Sequence, residues 1–141
     1  MSVQNYCLLF KHIWEREEKF ANTKLSDFGL TYTQSNALEY IAENPGAVTQ
    51  KDLEEHMEIQ HSAVVGIVSR LEAKGMVAFT SCEHDRRQKL LFPTELGKQI
   101  HNDIQEDKDK VEATLLSGFS EEEAKQLETM LIRVYKNLAG E

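Results

Sequence analysis

Between Gln60 and Gly75 the apolar residues Val64, Ile67, Val68 and Leu71 fall at i, i+3, i+4 and i+7, so one stripe of a helix is buried. Ser62, Ala63, Val65, Gly66, Ser69 and Arg70 are left outside, a small and largely polar face that can lie in a groove without obstruction. Gly75 ends the helix where a positive φ is needed. Upstream, Thr49 and Asp52 form a capping box that opens a short helix with Leu53 and Met57 inward, and Glu58-Ile59-Gln60 turns into the second helix. Two short helices with a tight turn make a helix-turn-helix. Downstream, Met76 to Thr80 and Gln88 to Phe92 are apolar runs around the polar loop 81–87, which reads as a β-hairpin.

The flanking pattern is helical. Residues 3–24 place Tyr6, Leu9, Phe10, Ile13 and Phe20 on a broad apolar face, with Cys7 and Trp14 on an adjoining stripe. Thr31 and Gln34 form a capping box for a helix with Ala37, Leu38 and Ile41 inward, which Asn44-Pro45-Gly46 stops. Thr94 caps a helix with the stripe Leu96, Ile100, Ile104, Val111 and Leu115, broken at Gly118. Ser120 with three following acids opens a last helix through Leu127, Met130, Leu131, Val134 and Leu138. The expected order is α-α-α-α-β-β-α-α in one domain spanning 1–141. It is mainly α with a small hairpin: a winged helix-turn-helix at about 31–97, flanked by helices at about 3–24 and 94–139. The flanking stripes carry more apolar surface than a small reading module needs, so these helices are expected to build a symmetric dimer.

Leu30-Thr31 with Gln34, Asp52-Leu53, Val68 with Leu71-Glu72, Lys74-Gly75 and Val77, Asp85 with Arg87, and Thr94 with Gly97 stand in this order along the chain. Together they resemble the motif set of the multiple-antibiotic-resistance regulator (MarR) family of winged helix-turn-helix transcriptional regulators. The resemblance spans about 30–97 by motif and nearly the whole chain by helix order. It implies a homodimer on DNA, with Arg87 as the wing arginine. Two positions depart from the pattern: Pro93 replaces an apolar residue before Thr94, and Gly66 stands where many members carry a larger polar or basic side chain.

The net charge of −8 argues against a general nucleic-acid coat. Residues 60–92, however, hold Arg70, Lys74, Arg86, Arg87 and Lys89 against Glu72, Glu83 and Asp85, a local +2 that singles out one face for an anionic partner. Two cysteines, Cys7 and Cys82, lack any metal-ligand spacing, and no apolar run approaches a membrane span. A cytoplasmic protein is expected.

DNA-contact candidates follow from placement. Gln60, His61, Ser62 and Ala63 lie at the helix end that enters a major groove, with Val65, Gly66, Ser69 and Arg70 further along the same face. Gln60 equally suits a cap, and Arg70 suits either a phosphate or a carboxylate partner. Asp85, Arg86 and Arg87 form a wing tip able to place an arginine in a narrow minor groove while Asp85 holds the arginine side chain in position. Cys82-Glu83-His84-Asp85 with His61 is the one conceivable metal cluster, and a wing loop is a poor site for one; no metal or cofactor is expected. No nucleophile elbow, phosphate loop or paired-carboxylate cleft indicates an enzyme. Trp14, Phe28, Tyr32 and Tyr40 suit either a ligand pocket or the core.

Cys7 reads first as a small apolar residue in a helix interface. The resemblance adds a redox reading, because hydroperoxide-sensing members place a cysteine near the start of the first helix and a tyrosine at the position of Tyr32. The further tyrosines of that arrangement are not evident, Phe20 being the nearest candidate. The expected function is a homodimeric repressor on a pseudo-palindromic operator, tuned by a small ligand or oxidant. The alternative is a winged-helix protein-interaction module that does not bind DNA.

Overall fold

The computed structural model describes residues 5–81, 83–85 and 87–141. Its elements are α1 (Tyr6–Ser26), α2 (Tyr32–Glu43), α3 (Gln50–Met57), α4 (His61–Ala73), β1 (Val77–Ser81), β2 (Lys89–Pro93), α5 (Glu95–Leu115) and α6 (Glu121–Ala139). The expected order and fold class hold. The chain divides into two compact units, Met1–Asp107 and Lys108–Glu141.

In the first unit the helix starts are set where the sequence places acceptors. Thr31 and Thr49 each accept from the backbone N–H three residues on, and Gln34 and Asp52 return the bond to the cap residue's own N–H. Each box satisfies two donors that a helix end otherwise leaves orphaned. Leu38, Ile41, Leu53, Val64, Val68 and Leu71 are sealed in the core between α2, α3 and α4, together with Val48 and Leu91.

The hairpin pairs Val77 with Pro93 through Ser81 with Lys89, antiparallel. Ser81 therefore ends β1 and Lys89 begins β2, one residue into what the pattern assigns to loop on the first strand. A feature with no sequence signal anchors it: Val48, between α2 and α3, bridges to Leu91, whose N–H donates to the Val48 carbonyl at 2.7 Å. Pro93 closes β2 buried, at the strand end where a missing N–H is tolerated.

The Thr94-x-x-Gly97 pair explains itself physically. The Thr94 hydroxyl donates to the Gly75 carbonyl at 2.5 Å and accepts from Gly97 N–H at 3.0 Å, while Thr94 N–H donates to the Met76 carbonyl. A Cβ on Gly97 would stand 1.9 Å from the Met76 carbonyl oxygen, so only glycine lets the first turn of α5 meet the backbone between α4 and β1 this closely.

The second unit comprises the end of α5, Gly118 at φ 84° and α6. Ser120 caps α6 through the Glu123 N–H. No residue of α6 is buried, and Met130, Leu131, Ile132, Tyr135 and Leu138 are exposed. Of the apolar stripe of α5 only Ile104 is buried, and Leu96 and Leu115 are exposed. In the first unit α1 likewise buries only Leu25 and exposes Tyr6, Leu8, Phe10, Ile13, Trp14 and Phe20. Among the described residues no helix is long and apolar enough to cross a membrane.

The two glycines at helical φ predict opposite outcomes. Gly97→Ala forces a Cβ into backbone and should cost about 3 kcal/mol. In Gly66→Ala the nearest atom is the Arg70 guanidinium at 3.6 Å, an ordinary contact, so the gain in helix propensity of about 0.5–1 kcal/mol should appear undiminished. Urea unfolding at one fixed protein concentration distinguishes the two.

Candidate nucleic-acid interface

Burying Val64, Ile67, Val68 and Leu71 fixes which side of α4 faces out. Ser62, Ala63, Val65, Ser69 and Arg70 are exposed and Gly66 is half-buried, so the face that the pattern predicts is bare. The turn into α4 places Glu58 at φ 54°, the one left-handed non-glycine among the described residues, with Ile59 N–H bonded to the Glu54 carbonyl. Nothing in a glutamate announces that conformation; the α3–α4 packing imposes it. Gln60 is the N-cap residue of α4, but its side chain makes no capping bond.

His61 opens α4 with its imidazole 68% exposed, and its Nδ1 lies 3.0 Å from the Glu54 carboxylate on α3. This contact ties the first helix-turn-helix helix to the N-terminal end of the second. For Arg70, no carboxylate partner stands within ion-pair distance among the described residues; its guanidinium lies beside Gly66.

In the wing, Asp85 acts on the main chain. Its Oδ1 accepts from the Arg87 backbone N–H at 3.0 Å, and its carbonyl accepts from Gln88 N–H. Asp85 thus supports the wing arginine through its main chain, in an Asx turn, the geometry a short carboxylate favours two residues from a donor. Arg87 is exposed. Arg86 and Cys82 lie outside the described residues. No group of three metal-ligating side chains forms among the described residues.

The candidate effector residues are only partly brought together. Tyr32, at the first turn of α2, meets Trp14 of α1 edge-to-face at 6.3 Å. Cys7 is a free, exposed thiol two turns earlier on α1, about 10 Å along the axis, so within one chain the phenol's ring partner is Trp14. Tyr40 stacks on His56 at 4.0 Å, and with Tyr32, Asn36, Glu43 and Met57 these rings line a cleft of about 550 Å³ between α2 and α3.

Contacts between distant segments hold this part of the fold together. Lys74, at the α4 C-cap, donates to the Gly29 carbonyl and to Gln34 Oε1 at 3.3 Å, joining the end of α4 to the start of α2. Lys89 faces Glu72 across the gap from β2 to α4. Partners so far apart in sequence leave no local signal.

The comparisons with known proteins agree with this geometry. A MarR family model matches residues 28–88. YybA, an uncharacterized HTH-type transcriptional regulator of Bacillus subtilis (strain 168), is 31% identical over 121 residues, covering 86% of this chain and 80% of YybA. The chain belongs to the MarR family. Its MarR fold is shared with the S. aureus MepR–DNA complex at TM-score 0.81 and 26% identity, covering 94% of this chain and 98% of MepR. A putative MarR family regulator from Listeria monocytogenes, complexed with a 26mer DNA, matches at TM-score 0.78 and 26% identity over 98% of this chain and 91% of that one. As a MarR-family member the protein is a transcriptional regulator and not an enzyme.

The Asx turn yields a direct test. Asp85→Asn keeps an Oδ1 acceptor and should keep the turn, whereas Asp85→Ala removes it. The Arg87 amide proton should exchange with solvent several-fold faster in the alanine variant alone, as read by solvent-exchange NMR.

Proposed function

We propose that the protein is a homodimeric, sequence-specific repressor on a pseudo-palindromic operator, released by a small ligand or an oxidant. The observation that carries the DNA reading is the bare outer face of α4 beside an exposed wing arginine. A helix sits in a major groove only if nothing bulky obstructs it, and MepR and the Listeria regulator supply the precedent of this fold on DNA. His61, Ser62 and Ala63 then meet base edges or phosphates, with Gln60 just before them. Val65, 40% exposed, offers a methyl surface suited to thymine. Gly66 permits close approach, Ser69 and Arg70 reach toward the backbone, and Arg87, positioned by Asp85, enters the minor groove with Arg86 as a second cation. A protein-interaction module working through α4 is disfavoured, because such a module presents large apolar anchors there and the outer face of α4 carries small residues, mostly polar, with Val65.

The dimer is inferred from α1 and α6, whose exposed apolar side chains form patches that water does not stabilise. A second copy related by a two-fold axis covers the same surfaces on both chains. Repression follows from occupancy, since a dimer spanning two half-sites excludes other proteins from that stretch of DNA. The cleft lined by Tyr32 and Tyr40 is the reading for a small ligand. Cys7, on the apolar face of α1, is the reading for an oxidant, because a sulfenic acid adds a polar oxygen to that face.

Three outcomes test this. Footprinting should show two symmetric half-sites roughly 34–36 Å apart, and sedimentation a dimer at micromolar concentration; a monomer on one half-site overturns the dimer. Arg87→Ala should weaken binding to all sequences and flatten the log K against log salt slope by about 0.9, while Ser62→Ala should change base preference by about 1–3 kcal/mol at one position. Stoichiometric organic hydroperoxide should lower operator affinity in wild type and not in Cys7→Ser; equal responses would assign Cys7 to packing alone.

A further inference from the structure

The wing is a two-stranded hairpin, and such a hairpin is marginally stable by itself, so its angle to the recognition helix needs a brace. Its root is anchored by the fully buried Leu91 and the Val48 bridge. Its tip, where Arg87 sits, lies beyond Lys89, the first residue of β2. Among the described residues one ion pair joins α4 to the hairpin: the Lys89 ammonium stands 4.0 Å from Glu72 Oε1. The same ammonium lies 4.1 Å above the Phe79 ring on β1, so its position is constrained from the sheet side as well.

Glu72 is the unusual member. Its Oε1 is sealed from solvent and has no hydrogen-bond partner. A carboxylate oxygen in that state is costly, and the opposing charge of Lys89 offsets the cost only while the hairpin holds Lys89 close. The pair therefore favours the wing held close to α4.

We propose that Glu72 is a positioning residue for DNA binding: through Lys89, clamped over Phe79, it fixes the wing against α4 so that Arg87 meets the minor groove while α4 occupies the major groove. The inference rests on the reading of Arg87 as the wing contact. It makes a prediction opposite in sign to simple electrostatics. Neutralising an acid beside anionic DNA should by itself tighten binding to every sequence. If Glu72 positions the wing, Glu72→Gln instead weakens it.

The test measures operator affinity of the full-length protein by fluorescence anisotropy over a salt series, with thermal unfolding to confirm that each variant is folded. Glu72→Gln should lose about tenfold in operator affinity and flatten the salt slope by about 0.9, the share of one phosphate contact. Glu72→Asp, which keeps the charge but withdraws the oxygen from Lys89, should fall with it. Adding Arg87→Ala to Glu72→Gln should cost little more, because the arginine is already misplaced. Glu72→Gln binding as tightly as wild type or tighter overturns the proposal. So does Arg87→Ala that is costly in wild type and equally costly in the Glu72→Gln background, which sinks the brace and leaves the wing reading intact. Arg87→Ala without effect in wild type sinks the wing reading and this inference together.

Discussion

A helix that reads a groove must be held rigidly by one side and left bare on the other. In this protein the seal made by Val64, Ile67, Val68 and Leu71 meets that demand. Each such side chain contributes about 2 kcal/mol on burial, enough that rotating α4 about its axis is prohibitive. The capping boxes at Thr31 and Thr49 start α2 and α3 in register with that seal. The Val48–Leu91 bridge then sets the hairpin on the same core.

Polar joints refine what the apolar seal fixes coarsely. Lys74 shares Gln34 Oε1 with the Thr31 N–H, so the C-terminus of α4 and the N-cap of α2 depend on one amide oxygen. Tyr32, the next residue after that cap, packs on Trp14 and lines the α2–α3 cleft. A change in the cleft thus has a short path of direct contacts to α4, without a long relay. At the other end of α4, His61 and Glu54 join α3 to the first turn of α4.

The distribution of charge and apolar surface divides the labour within the chain. The acids are spread over α1 to α3, α5 and α6, while residues 60–92 carry a local +2 and expose Arg70 and Arg87. An overall charge of −8 is therefore compatible with a surface selective for one anionic groove, and it discourages indiscriminate coating of nucleic acid.

Helix positions, the hairpin and the buried stripe of α4 were legible in the sequence, because period, caps and glycine stops are local properties that neighbouring residues decide among themselves. The identity of the outer face followed from the same periodicity. Periodicity records which residues share a face and not what covers it: Leu96 and Leu115 of the α5 stripe are exposed in the single chain. The tertiary structure alone decided the joints. Glu58 is forced left-handed where α3 turns into α4, and Glu72, Lys74 and Lys89 find partners on other elements. Those contacts depend on where distant segments meet, and a single chain of letters carries no local trace of the meeting.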